Sequence, residues 1–255
     1  MIDLQNKNPK ILVIGDLMVD HYLWGKCDRI SPEAPVQIIN IKNENTVLGG
    51  AGNVINNLNS LGAKVDIISV VGVCTTSKEL KDLLTKIKVN TKYLVTQKDR
   101  FTSKKSRIIA SQQQVVRYDQ ESTDEINDHS KNEILVRFKE IINNYDLILL
   151  SDYGKGLFRY DLTQSLIKIA KKNNKKLLAD PKGLDYAKYK GVYLLTPNKK
   201  EASESTNINI NDRDSLLKAI TLIKEKCALS KSIITLSEEG IAFKRLSLSL
   251  IFIFV

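Results

Sequence analysis

Short β-branched or leucine-rich runs alternate with helical patterns along most of the chain. This predicts an α/β fold, with a mainly parallel sheet covered by helices on both faces. Two further observations refine it. Four expected strand ends carry polar or glycine residues, Gly15-Asp16, Ser151-Asp152, Asp180-Pro181 and Thr196-Pro197-Asn198, and an open parallel sheet binds its ligand beyond such ends. Two stretches, 36–42 and 102–118, read as extended with no helix between strands, which predicts a small antiparallel β flap over the ligand edge.

Taken in order, residues 10–15, 65–71, 147–151, 176–180, 192–196 and 232–236 are short, leucine-rich or β-branched, and read as buried strands. Residues 53–61, 77–87, 130–143, 162–172 and 213–226 read as helices. The flap strands fall at about 20–45 and 92–118, where Tyr22, Trp24 and Cys27 read as packing residues. No repeat and no Gly/Ser-rich or Pro-rich linker divides the chain, so residues 1–255 read as one domain with a flap.

The 42% apolar and 27% charged content is ordinary for a soluble globular protein long enough for a full core. The polar N-terminus carries no secretory signal, and the longest apolar stretch, 246–255, is too short to span a bilayer. Cys27, Cys74 and Cys227 lie far apart, which fits reduced thiols in a cytoplasm. With only His21 and His129, a His/Cys metal site is not expected. The net charge of +10 is mostly lysine spread along the chain, without a finger, an RRM signature or an aromatic-interleaved stripe. It reads as a solvated surface with a basic cleft for phosphorylated small molecules, and not as a nucleic-acid partner.

Residues Leu48-Gly49-Gly50-Ala51-Gly52-Asn53 open an apolar helix. Two readings fit the glycine pair. It turns the chain, or it lets backbone approach a hydroxyl-rich or anionic ligand at a helix start. In the second reading Asp20 and Asn53 bridge neighbouring hydroxyls of one sugar ring.

Six motifs follow in order: Gly15-Asp16-x-Met18-x-Asp20-x-Tyr22, Arg29-Ile30-Ser31-Pro32-Glu33-Ala34-Pro35-Val36, Gly49-Gly50-Ala51-Gly52-Asn53, Ser151-Asp152-Tyr153-Gly154-Lys155-Gly156, Asp180-Pro181-Lys182-Gly183 and Thr196-Pro197-Asn198. Together they resemble the ribokinase-like (PfkB) sugar kinases, and within them the heptose-7-phosphate kinases, the kinase halves of bifunctional ADP-heptose synthesis proteins. The resemblance covers about residues 8–243. It implies a ribokinase-like fold and ATP-dependent phosphorylation of the anomeric hydroxyl of a heptose 7-phosphate. The sugar side would comprise Asp20, Gly49, Gly50 and Asn53. Arg107, Arg117, Lys155 and Lys182 are candidate phosphate partners, or solvated charges, and Asp152 would orient Lys155 or a water. Asn198-Lys199-Lys200-Glu201 matches the family's Asn-x-x-Glu, where Asn holds nucleotide phosphates and Glu acts on Mg²⁺ through water; Glu201 could equally offset a helix dipole. Thr235-x-x-x-x-Gly240 matches a nucleotide-side element. The resemblance also implies pairing into a homodimer through flap strands, of which the weak alternation at 36–42 is no proof.

The family continues into Gly-Ala-Gly-Asp, whose amides form the anion hole and whose Asp is the general base. These 255 residues contain no such run, so no catalytic base is expected among them. After Phe243 the likeness gives way to an atypical tail, 244–255, whose apolar end reads as an aggregation hazard.

Overall fold

The computed structural model describes residues 8–244 and 250–253. In chain order the strands are β1 (Lys10–Gly15), β2 (Leu17–Ile30), β3 (Gln37–Gly50), β4 (Lys64–Val71), β5 (Leu94–Thr96), β6 (Ser103–Ala110), β7 (Gln113–Gln120), β8 (Leu147–Ser151), β9 (Lys176–Asp180), β10 (Leu194–Leu195), β11 (Lys231–Thr235), β12 (Ile241–Lys244) and β13 (Leu250–Ile253). The helices are α1 (Ala51–Ser60), α2 (Thr75–Lys86), α3 (Asp128–Ile141), α4 (Tyr160–Lys172), α5 (Lys199–Thr206) and α6 (Arg213–Lys226). No helix among the described residues is long and apolar enough to cross a membrane.

The main sheet has the order β13-β12-β11-β10-β9-β8-β1-β4-β5. All pairs from β5 to β11 are parallel, and the β12–β13 hairpin adds two antiparallel strands at one edge. β1 shows why the sheet is buried on both faces. Ile11 and Val13 pack with Ile55 of α1 and Leu80 and Leu84 of α2. Leu12 and Ile14 face the other way, into a core with Phe138 of α3 and Leu162 and Leu166 of α4. Each such side chain contributes roughly 1.5–3 kcal/mol by leaving water, so alternate residues of one strand hold opposite helix layers.

The flap is a four-stranded sheet, β3-β2-β6-β7, with β2 and β6 parallel and two antiparallel outer pairs. It begins earlier than the sequence pattern indicates, at Leu17, because one residue, Asp16, separates β1 from β2. Its second half begins later, at Ser103. Leu94–Thr96 lies outside the flap and pairs in parallel with Ser69–Val71 of β4, which places β5 at the edge of the main sheet. The tail is only partly an appendage: residues 250–253 pair antiparallel with β12, while 245–249 and 254–255 lie outside the described residues. Helix α5 has no counterpart in the periodic pattern, since only Ala202 and Thr206 of its eight residues are buried.

Candidate functional site

The flap joins the main sheet at the carboxyl ends of β1 and β8, and three groups of residues lie along the flap and the carboxyl edge of the sheet. The first is on the flap. Asp20 of β2 lies beside Gly49 of β3, and a Cβ at Gly49 would sit 2.3 Å from Asp20 Oδ2. Glycine is therefore what gives the Asp20 carboxylate its room. Arg107 of β6 donates to Asp20 Oδ1 at 2.6 Å and lies over the Tyr22 ring, 5.2 Å from its centroid. Gly50 closes the strand and caps α1 at φ 54°, with no side-chain cap on that helix start. Asn53 follows on α1 as an exposed side chain. Of the four residues read as the sugar side, Asp20 and Gly49 touch across β2 and β3, Gly50 caps α1, and Asn53 lies on the first turn of that helix.

The second group is a chain of alternating charge. Arg117 forks onto Asp119 at 2.6 and 2.9 Å. Lys105 donates to Asp119 at 2.8 Å and to Glu121 at 2.9 Å, and Lys155 donates to Glu121 at 2.7 Å. The Arg117 fork holds the Asp119 carboxyl well below the usual carboxylate range. Arg107, Arg117 and Lys155 therefore each have a carboxylate partner on this surface. An incoming phosphate exchanges one anion for another and need not bring cations together.

The third group surrounds the ends of β9 and β11. Asn198 and Glu201 close a capping box on α5: Glu201 N donates to Asn198 Oδ1 at 2.9 Å and Asn198 N to Glu201 Oε2 at 3.1 Å. Lys182 donates to the other Glu201 oxygen at 3.0 Å, and this bond raises the ammonium pKa. Glu201 thus fills the helix-start role and also faces the ligand edge. Burial, then the charge of Glu201, pushes Asp180 up to about 6. Thr235 bridges to Asn198 across adjacent strand ends, and its N–H donates to Pro197 O at 3.0 Å. Gly240 closes the following turn, accepting from Leu236 N at 2.9 Å.

Asp152 requires a correction. It does not orient Lys155, whose ammonium goes to Glu121. Asp152 is buried and accepts from Gly154 N at 2.7 Å, Lys188 Nζ at 2.6 Å and Tyr189 OH at 2.5 Å. These three bonds make Asp152 an anchor for the loop after β8.

Several residues beyond those predicted shape the site. Asp16 and Asp180 stand inside motifs already quoted, so position at a strand end was the available signal. Lys105, Glu121, Lys188 and the buried Arg100 lie in no motif. Among the described residues, no three His, Cys, Asp or Glu side chains are grouped to hold a metal ion. A cation that keeps most of its waters needs fewer protein ligands, and the mutual repulsion of Asp180 and Glu201 is what such a cation would relieve.

Fold and site together define a ribokinase-like α/β protein with a flap over a cleft of hydroxyl acceptors and cations. The fold is similar to that of Arabidopsis thaliana ribokinase complexed with ribose and ATP (TM-score 0.72, 17% identity, 98% of this chain and 78% of that one). It is also similar to Escherichia coli phosphofructokinase-2 (TM-score 0.74, 18% identity, 96% and 79%). The chain belongs to the pfkB family of carbohydrate kinases, whose model matches residues 8–252 and so runs past Phe243. Among curated proteins it is 62% identical over 237 residues to the bifunctional protein HldE of Aliarcobacter butzleri, and 54% identical over 239 residues to that of Sulfurimonas denitrificans. These matches cover 93% and 94% of this chain but 50% of each relative, so the chain spans about half the length of the curated relatives it matches.

Proposed function

We propose that this chain carries the sugar-kinase half of a bifunctional protein of ADP-heptose synthesis. Its substrate in this reading is D-glycero-β-D-manno-heptose 7-phosphate, phosphorylated by ATP on the anomeric hydroxyl to the 1,7-bisphosphate used for lipopolysaccharide core precursors. The identity to proteins named HldE supports the substrate class. The observation that carries the reading is the Asp20–Gly49–Arg107 constellation, where a hydroxyl acceptor and a guanidinium stand 2.6 Å apart. That pairing suits a sugar that is also an anion.

In the reaction the anomeric oxygen attacks the γ-phosphorus, the bond from γ-phosphorus to the β–γ bridging oxygen breaks, and ADP leaves. The hydroxyl proton must pass to a base. Asp20 and Asn53 hold the sugar hydroxyls, and Arg107, Lys155 and Lys182 neutralise phosphate. Asn198 and Thr235 face the nucleotide phosphates. Glu201 and Asp180 would hold Mg²⁺, which supplies charge neutralisation to the phosphates.

These 255 residues contain no Gly-Ala-Gly-Asp. Absence of a general base costs about 10²–10⁴ in rate and absence of an anion-hole donor about 10²–10³. A second reading follows: this polypeptide alone binds sugar phosphate and turns over negligibly. A kinase for another phosphorylated sugar is a third, against which the Ser-Asp-Tyr-Gly-Lys-Gly and Asp-Pro-Lys-Gly motifs weigh.

Thermal shift with heptose 7-phosphate, fructose 6-phosphate and ribose separates the readings. A shift confined to the heptose, and absent in Asp20→Ala, is expected. An equal shift from fructose 6-phosphate overturns the substrate, and an unchanged shift in Asp20→Ala removes Asp20 from the site. ADP release at about 1 s⁻¹, the low end for kinases, would overturn the binder reading.

A further inference from the structure

Four chain crossings join flap to sheet, and all are tied at one buried point. The first two, Asp16 and Gly50–Ala51, are linked by Ala51 N donating to Asp16 O at 3.0 Å. The other two, at residues 100–102 and 121–124, are linked by Phe101 N donating to Ser122 Oγ at 3.0 Å. Both pairs reach the loop after β8. Asp16 Oδ2 accepts from Tyr153 N at 2.9 Å and Lys155 N at 3.2 Å. The Arg100 guanidinium donates to Asp124 O at 2.9 Å, Ser122 O at 3.5 Å and Lys155 O. Asp16 and Arg100 are 5% and 7% exposed, so neither charge is solvated and each feels the other.

We propose that Asp16 and Arg100 are positioning residues that fix Lys155 for an anionic sugar substrate and set the flap against the sheet. The peptide at Lys155 is gripped from both sides, its N–H by Asp16 and its C=O by Arg100. The same Arg100 fork holds the two carbonyls of the segment that carries the flap back to α3. The fit is tight, since a Cβ at Gly156 would sit 1.9 Å from Asp124 O. The Lys155 ammonium then reaches Glu121, so one buried guanidinium sets both ends of that ion pair. Lysine replaces this function only in part, because its three donors sit on one small ammonium, whereas the planar guanidinium spreads its donors across three separated carbonyls. The substrate clause rests on the proposed function; the positioning of the loop and flap does not.

The test is amide hydrogen exchange on the full chain of Arg100→Gln, Arg100→Lys and Asp16→Asn, with heptose 7-phosphate affinity measured on the same samples. Exchange at 153–156 and 103–120 should rise about tenfold or more in Arg100→Gln while α3 and α4 keep wild-type protection. Arg100→Lys should rescue only part, and affinity should fall in the order of loop exchange. Unchanged exchange at those segments, or a uniform rise over the whole molecule, overturns the proposal. Should Arg100→Gln fail to fold, Arg100→Lys and Asp16→Asn carry the same comparison. Lys155→Met binding as tightly as wild type would overturn the substrate role of Lys155 and leave the positioning standing.

Discussion

Gly49 and Asp20 make one unit, because a Cβ at Gly49 would meet the Asp20 carboxylate first, at 2.3 Å, and then Met18 Cγ at 2.9 Å. Gly49→Ala should push Asp20 off Arg107, destabilise the fold by about 1–3 kcal/mol and abolish the sugar-dependent thermal shift. A melt with and without heptose 7-phosphate reads both effects. Burial raises Asp16 and Asp180 from 3.8 to about 6. Each group therefore binds more protons folded than unfolded between about pH 4 and 6. The stability they contribute is complete below the unfolded value and is lost as pH rises through the folded one. Melting temperature measured from pH 4 to 7 should fall less steeply in Asp16→Asn/Asp180→Asn than in wild type; parallel curves would refute it. Asp16 stood in a visible Gly-Asp motif, but its link to Arg100 spans 84 positions of unpatterned sequence and is set only by the tertiary fold.

At the scale of elements, the central strands were legible because both faces are buried, which leaves runs such as Ile11–Ile14 with no polar residue. The flap was legible only as extended chain. Its strands are half wet: β7 is exposed at all eight positions and most of β3 is exposed, so no clean alternation marks their ends. Helix α5 escaped for a related reason, its stretch KKEASEST being polar on nearly every side. What starts α5 is its cap. Asn198→Ala should remove the reciprocal bonds with Glu201, cost about 1 kcal/mol and lower the melting temperature by about 2–4 °C. It should also weaken nucleotide binding, measured by calorimetry with ATP, since a Glu201 freed from the cap no longer holds Lys182 in place at the ligand edge.

For the whole molecule, a parallel sheet buried on both faces supplies strand ends at one edge, and a wet flap supplies the charges beside them. In the proposed function the first face phosphate and the second face sugar. The order of motifs made the first half of this division readable, because strand ends in a parallel sheet collect at one edge. The charge chain from Arg117 to Lys155 was not readable, since its members come from β6, β7 and two loops. β7 is an edge strand with Val116 45% and Tyr118 52% exposed, and an open edge of this kind is where a second copy would add a strand. Sedimentation should show a dimer that Val116→Lys/Tyr118→Lys converts to monomer. A dimer that survives both lysines would place the contact elsewhere.

The chain has a single tryptophan, Trp24, and it stands on the flap. Its ring stacks on Tyr22 with centroids 5.6 Å apart, Tyr22 carries Arg107, and Arg107 holds Asp20. Tryptophan fluorescence of this protein therefore reports on the corner proposed to hold the sugar, three contacts from Asp20. Occupancy of that corner should alter the emission without any added dye, and Tyr22→Leu should silence the change while binding persists.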